Sequence, residues 1–262
     1  MHKPVLHIIK VGGNIIDDAP RLQGFLRHFA DLQGPKILVH GGGKVATQLA
    51  SDLNIPQQMV DGRRITDKDT LRVVTMVYAG LINKQIVASL QAMHCPGIGV
   101  CGADANLVLA RKRQHASVDY GYVGDVVAVE QAMLGGLLEQ GLAVVVAPIT
   151  HDGSGQLLNT NADTIAQEIA RAMSTAYDTV LIYSFEKAGV LLDAEDPNTL
   201  ILEITRNRFA ELKASGKIFA GMIPKLENAF AALDSGVGKV IIGQAEKLPE
   251  LVLGQTGTAI VN

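Results

Sequence analysis

Short runs of β-branched and aliphatic residues, each followed by a longer stretch of helical periodicity, constrain this chain more than any other feature of its sequence. Val5–Val11, Lys36–His40 and residues 97–101, 142–149, 179–183 and 239–242 read as strands. Between them, residues 21–32, 44–53, 69–93, 130–140, 161–173 and 223–235 read as helices. Strands alternating with helices imply βαβ units and a mainly parallel sheet, so the fold class is α/β. The run Ala143-Val144-Val145-Val146-Ala147 is apolar throughout, which suits a strand covered on both faces. In such sheets ligands bind beyond the carboxyl ends of the strands, so the loops that follow strands are where chemistry is expected. Residues 103–125 break the pattern and read as a hairpin-like β excursion. A division into lobes is expected near residues 175–179, giving 1–176 and 177–262.

Composition excludes several functions. The 262 residues are 48% hydrophobic and 19% charged, as in an ordinary globular chain. The formal net charge of -3 carries no general electrostatic footprint for nucleic acid or an anionic membrane. Phosphate binding must then be local, through backbone amides and a few lysines. No uninterrupted apolar stretch approaches the roughly 18 residues of a membrane helix, and the N-terminus lacks the apolar segment of a secretory leader. Cys95 and Cys101 are expected as reduced thiols of a cytoplasmic protein.

The loops at the strand ends carry the candidate chemistry. Lys10-Val11-Gly12-Gly13 closes the first strand, and its glycines let a backbone approach an anion closely. His40-Gly41-Gly42-Gly43 closes the second strand and opens a helix at about Lys44, an arrangement suited to phosphate. It is neither a Walker A loop nor a dinucleotide fingerprint. His40 has no second ligand at a helpful spacing, so no metal site is expected. Arg63 and Arg64 form a basic turn, and an arginine can hold a carboxylate with two parallel hydrogen bonds. Asn161 reads as a helix N-cap, which places Asp163 in the first turn. Lys225 falls in the first turn of another helix, where a cation opposes the helix dipole; that suggests an anionic ligand.

Taken in order, these motifs resemble the amino acid kinase family. The resemblance rests on Lys10-Val11-Gly12-Gly13, His40-Gly41-Gly42-Gly43, Gly62-Arg63-Arg64-Ile65-Thr66, Asn83-Lys84, Tyr122-Val123-Gly124-Asp125-Val126, Asn159-Thr160-Asn161-Ala162-Asp163, Gly221-Met222-Ile223-Pro224-Lys225 and Gly257-Thr258. It implies an open αβα sandwich whose N-terminal lobe binds an acylated amino acid and makes a homodimer, and whose C-terminal lobe binds ATP. The implied reaction is phosphorylation of the γ-carboxylate of N-acetyl-L-glutamate in arginine biosynthesis. The same reaction on N-succinyl-L-glutamate, another activity of the family, and a regulatory homologue without catalysis are the alternatives. Lys10 and Lys225 would neutralise the transferring phosphoryl group, with Asp163 orienting both. Gly12, Gly13, Gly42 and Gly43 would offer amides to phosphate and acceptor. Arg64 would grip the α-carboxylate, helped by Asn159. Ser184, Gly189, Gly221 and Met222 would lie along the nucleotide. Mg2+ is expected to arrive on the nucleotide, without a protein cage.

Two segments depart from the family pattern. Ser184-Phe185-Glu186-Lys187-Ala188-Gly189 is one residue longer than the usual loop and has Phe185 in place of an aspartate. Ala103 stands where a lysine is common. Arg63, Lys84 and Arg111 to Arg113 are the basic residues available for a charged acyl group. The short segment before the first strand leaves no room for the helix that links arginine-inhibited members into hexamers, so a homodimer without arginine feedback is expected.

Overall fold

The computed structural model describes residues 3–60, 63–193, 196–218 and 222–261. In chain order the elements are β1 (Val5–Val11), α1 (Gly13–Ile16), α2 (Ala19–Asp31), β2 (Lys36–His40), α3 (Gly43–Asp52), β3 (Gln58–Val60), β4 (Arg63–Ile65), α4 (Lys68–Thr75), α5 (Asn83–Ala92) and β5 (Gly97–Val100). They continue with β6 (Val108–Lys112), β7 (Gly124–Val129), α6 (Gln131–Glu139), β8 (Ala143–Val146), β9 (Ile149–His151), β10 (Leu157–Asn159), α7 (Ala162–Met173) and β11 (Asp178–Phe185). The chain ends through β12 (Val190–Leu191), β13 (Leu200–Ile201), β14 (Glu203–Ile204), α8 (Arg206–Ala214), α9 (Ile223–Asp234), β15 (Lys239–Gln244), α10 (Leu248–Val252) and β16 (Thr258–Ile260).

The central sheet runs β14-β16-β15-β11-β1-β2-β8-β5. It is parallel except where β15 meets β16, so the expected mainly parallel α/β sheet is what forms. Residues 142–149, read as one strand, are two: β8 ends at Val146, and β9 joins a separate mixed sheet, β10-β9-β6-β7, in which β6 and β9 run parallel. The hairpin read in residues 103–125 is there as β6 and β7, but its second strand starts at Gly124 and runs to Val129. The basic turn at Arg63 and Arg64 belongs to a small hairpin, β3 with β4; Gly62 lies outside the described residues.

Strand alternation decides what each face carries. In β1, Leu6 and Ile8 join one core, whereas Ile9 and Val11 join the other. Tyr183 and Phe185 of β11 share the first face, and Ile182 takes the second. The first core includes Ile165, Ile169 and Met173 of α7 and Leu226 of α9; the second includes residues of α2, α4 and α5. The sheet is therefore filled from both sides, and each fully buried Val, Leu or Ile contributes about 1.5–3 kcal/mol. The same alternation fixes the site, because Lys10 follows Leu6 and Ile8 onto the face covered by α7.

Caps set where the helices begin. Asp18, Asp67 and Asn161 each accept a backbone N–H in the first turn of α2, α4 and α7. The helical run Lys68–Ala92 is long and apolar enough to cross a membrane by length and composition alone. Here it is a core helix, with Leu71, Val74, Ile86 and Leu90 buried beneath the sheet. Its middle, Met76–Ile82, is a π-helical segment. That local widening sets Tyr78 and Ile82 against Gly42, whose φ is 145°. A Cβ on Gly42 would lie 2.2 Å from Ile82 Cδ1, so the position admits only glycine without rearrangement.

Candidate active site

Lys10 stands at the penultimate position of β1, and Asp163 is in the first turn of α7. Lys10 Nζ lies 2.8 Å from Asp163 Oδ1, with both side chains largely covered. Burial opposes charge on Asp163, but Lys10 and then Lys225 outweigh it and hold the carboxyl below its usual range. Lys225 is in the first turn of α9. Burial lowers its pKa; Asp163 and Glu186 work the other way, and Lys10 adds to the lowering. The structure thus brings together Lys10 of β1, Asp163 of α7 and Lys225 of α9. Beside them, burial and the Asp163 charge push the Tyr183 phenol up. Its hydroxyl is buried without a partner.

A cavity of about 240 Å³ opens next to this cluster, lined by Gly41, Gly42, Gly43, Arg64, Tyr78, Arg113, Asn159 and Asn161, among others. Arg64 donates to Gly43 O and Thr47 Oγ1, both at 2.9 Å, and to Gln57 Oε1. Asn159 donates to Thr66 Oγ1 at 3.0 Å, which ties β10 to the loop after β4. Gln57 and Thr47 were not readable as partners of Arg64, because one precedes β3 and the other sits on α3. Arg113 forks onto Asp125 Oδ1, with Nε at 2.9 Å, and lies over the Tyr120 ring.

The remaining expected residues divide. The Gly12 amide donates to Ser184 O at 2.9 Å, so it closes the β1–β11 ladder instead of facing a ligand in this conformation. Gly13 opens α1. Ser184 is buried, with its hydroxyl unpartnered. Gly189 lies against Thr258, where a Cβ would come within 2.6 Å of the Thr258 hydroxyl. Met222 caps α9 and packs against the core; Gly221 lies outside the described residues.

Lys84 is drawn away from the cavity. Its ammonium donates to Gly99 O at 2.7 Å and to Asn83 Oδ1 at 3.0 Å. Asn83 in turn donates to Val145 O and meets His40 Nε2 at 3.3 Å. His40 Nδ1 lies 2.8 Å from Gly41 O, which requires the proton on Nδ1. Burial lowers the His40 pKa to about 4. His40, Asn83 and Lys84 therefore form a clamp between α5 and the strand ends, which leaves Lys84 outside the cavity. Gly102 to Ala105 make a turn after β5, with Asp104 Oδ2 accepting from Cys101 N, and they do not line the cavity. Cys95 and Cys101 are free thiols.

An arginine-lined cavity beside two lysines that share one carboxylate is built to hold anions and bring them together. Comparison with known proteins agrees in kind. Residues 6–244 match the amino acid kinase family. An acetylglutamate kinase of Cytophaga hutchinsonii is 56% identical over 248 residues, covering 94% of each chain. An acetylglutamate kinase of Phocaeicola vulgatus is 52% identical over 95% of this chain and 96% of its own. Among solved structures, smu.665 from Streptococcus mutans UA159 superposes with a TM-score of 0.78 over 98% of each chain, at 28% identity. The family match spans the chain from β1 to β15, taking in β1, α7 and α9, which carry the charge cluster, and this chain belongs to the amino acid kinase family.

Proposed function

We propose that this chain transfers the γ-phosphoryl group of ATP to the side-chain carboxylate of N-acetyl-L-glutamate, giving the acyl phosphate and ADP in arginine biosynthesis. The observation that carries this reading is the Lys10–Asp163–Lys225 cluster beside the arginine-lined cavity. The names of the relatives support the same acceptor.

The acceptor needs no base. A glutamate side chain with a pKa of about 4.3 is already ionised at neutral pH. One carboxylate oxygen attacks the γ-phosphorus, the bond to the β-phosphate oxygen breaks, and ADP leaves with the electron pair. The obstacle is the approach of two anions, which positioning and fixed positive charge remove. Lys10 acts from the acceptor side and Lys225 from the nucleotide side, while Asp163 aims both. Arg64 exchanges its internal partners Gly43 O, Thr47 and Gln57 for the substrate α-carboxylate. Asn159 fixes the amino-acid part. Lysines and amides suit phosphate oxygens, so the residues present fit the nucleotide; Mg2+, when bound, would neutralise its phosphate charge. Residues 1–176 serve the acceptor and 177–262 the nucleotide. We assign the chain to the cytoplasm as a homodimer, with support from exposed Met76 and Leu81 on the long helix.

A second reading, the same transfer to N-succinyl-L-glutamate, is favoured by Arg113, a further guanidinium on the cavity wall with an exchangeable carboxylate partner. Steady-state phosphorylation with ATP and magnesium, run on both acceptors, tests the pair. Preference for the acetyl substrate supports the first reading, preference for succinyl supports the second, and activity with neither sinks both.

A further inference from the structure

We propose that Phe185 positions Lys225 for the phosphoryl group by holding its ammonium against the face of the ring. The inference rests on the proposed kinase reading. Lys225 Nζ lies 5.0 Å from the Phe185 ring centroid. The ring is fixed from several sides. Phe185 ends β11, pairs with Gln244 of β15, and is only 9% exposed. Its Cβ lies 3.4 Å from where a Cβ on Gly12 would stand, so the base of the side chain sits against the turn that follows Lys10. Tyr183 and Phe185 project from the same face of β11, the face that α7 and α9 cover.

Lys225 needs such a partner. It occupies the first turn of α9, where the helix dipole repels a cation. Asp163 is shared and pairs directly with Lys10 at 2.8 Å. The charged groups that face Lys225 are Asp163 from α7, Lys10 from β1, and Glu186 from the segment after β11. The negative face of an aromatic ring attracts the ammonium without neutralising it. Lys10 and Lys225 against Asp163 and Glu186 already sum to zero, so a carboxylate at position 185 would leave the cluster net negative. Phenylalanine there holds the ammonium without adding negative charge that the incoming phosphates would have to overcome.

The test replaces Phe185 with its mono-, di- and trifluorinated analogues, which drain the ring face of negative charge while nearly keeping its shape. We expect kcat to fall stepwise with each fluorine, by about 3- to 30-fold across the series. The KM for the acceptor and the melting temperature should stay in place. The alkaline limb of kcat should move to lower pH, because a weaker ring face favours the neutral amine of Lys225. Calorimetric ATP affinity should weaken in the same order, and this readout needs no turnover. Flat kcat and flat ATP affinity across the series would overturn the proposal. A fall matched by melting temperature would assign Phe185 to packing alone and overturn it as well. If the unsubstituted protein binds ATP but phosphorylates neither acceptor, the kinase reading fails, and the affinity series still decides the role of the ring.

Discussion

Asp163→Asn is the sharpest test of the charge cluster, because it removes one negative charge and almost no volume. At 2.8 Å the Lys10–Asp163 pair is worth about 6 kcal/mol of Coulomb attraction at an effective dielectric of about 20. Desolvation offsets much of that, since both side chains are largely covered, which leaves about 2–4 kcal/mol. If half to all of it serves to aim the two lysines, kcat should fall about 5- to 1,000-fold. Lys225 also loses the group that most favours its charged form, so the alkaline limb of kcat should move to lower pH. Stability should follow a separate pH course. The Asp163 carboxyl is held below its unfolded pKa, so its stabilising effect is complete above about pH 4 and fades as pH falls through the lower folded value. Melting curves of wild type and variant should therefore differ by a constant amount from pH 9 to pH 5 and converge in stronger acid. Steady-state kinetics with N-acetyl-L-glutamate and ATP from pH 6 to pH 10, with melting at each pH, would measure both. A kcat within threefold of wild type, with the alkaline limb unmoved, would refute the idea that Asp163 organises the lysines.

Other perturbations separate the remaining parts. Arg64→Ala should raise the KM for the acceptor about 10- to 100-fold, the cost of one charge-assisted contact, while kcat changes much less; an unchanged KM would remove Arg64 from acceptor binding. Gly42→Ala should cost about 1–3 kcal/mol in chemical denaturation, from the φ of 145° and the clash with Ile82. Adding Ile82→Val should recover the steric part only, and full recovery would show that the backbone conformation costs nothing. His40 has a folded pKa of about 4 against 6.5 unfolded, so wild type should lose up to about 3 kcal/mol as pH falls from 6.5 to 4. His40→Gln should flatten that slope, as read by urea unfolding at several pH values.

Strand order in time and helix periodicity were readable because the parallel sheet is buried on both faces, and burial writes itself into composition. Val5–Val11 and Lys36–His40 form over the residues expected. The break between β8 and β9 was missed although Pro148 marks it, since a proline cannot donate to a sheet ladder; Ala147, Ile149 and Thr150 on either side are equally buried. For the site, the strand-end position of Lys10 and the helix-start positions of Asp163 and Lys225 were readable from the pattern, whereas grouping the three came from the family resemblance. The fate of Lys84 was not. Its direction depends on Gly99, where a Cβ would fall 2.0 Å from Asn83 Oδ1, and no local signal links residues so far apart in sequence. The commitment of the Gly12 amide to Ser184 was hidden for a related reason: both loops end neighbouring strands, and sequence order does not announce that β1 and β11 are adjacent.

The period-two alternation of β1 and β11 is what makes a single charge cluster possible. Lys10 pairs in register with Tyr183, so both project toward α7, and the N-terminus of that helix delivers Asp163 to the same point. Phe185, two residues beyond Tyr183, returns to the same face under Lys225. A one-residue slip between the strands would send Lys10 or Phe185 to the opposite face and leave Asp163 buried without its partner. On the proposed reading, the sheet register therefore constrains the charge cluster as much as the fold. The cores on either face, which fix that register, also fix where positive charge waits before any anion arrives. If the proposed roles hold, this is the sense in which the electrostatics are preorganised: strand pairing, one carboxylate and one ring, all present in the folded chain alone, aim the lysines.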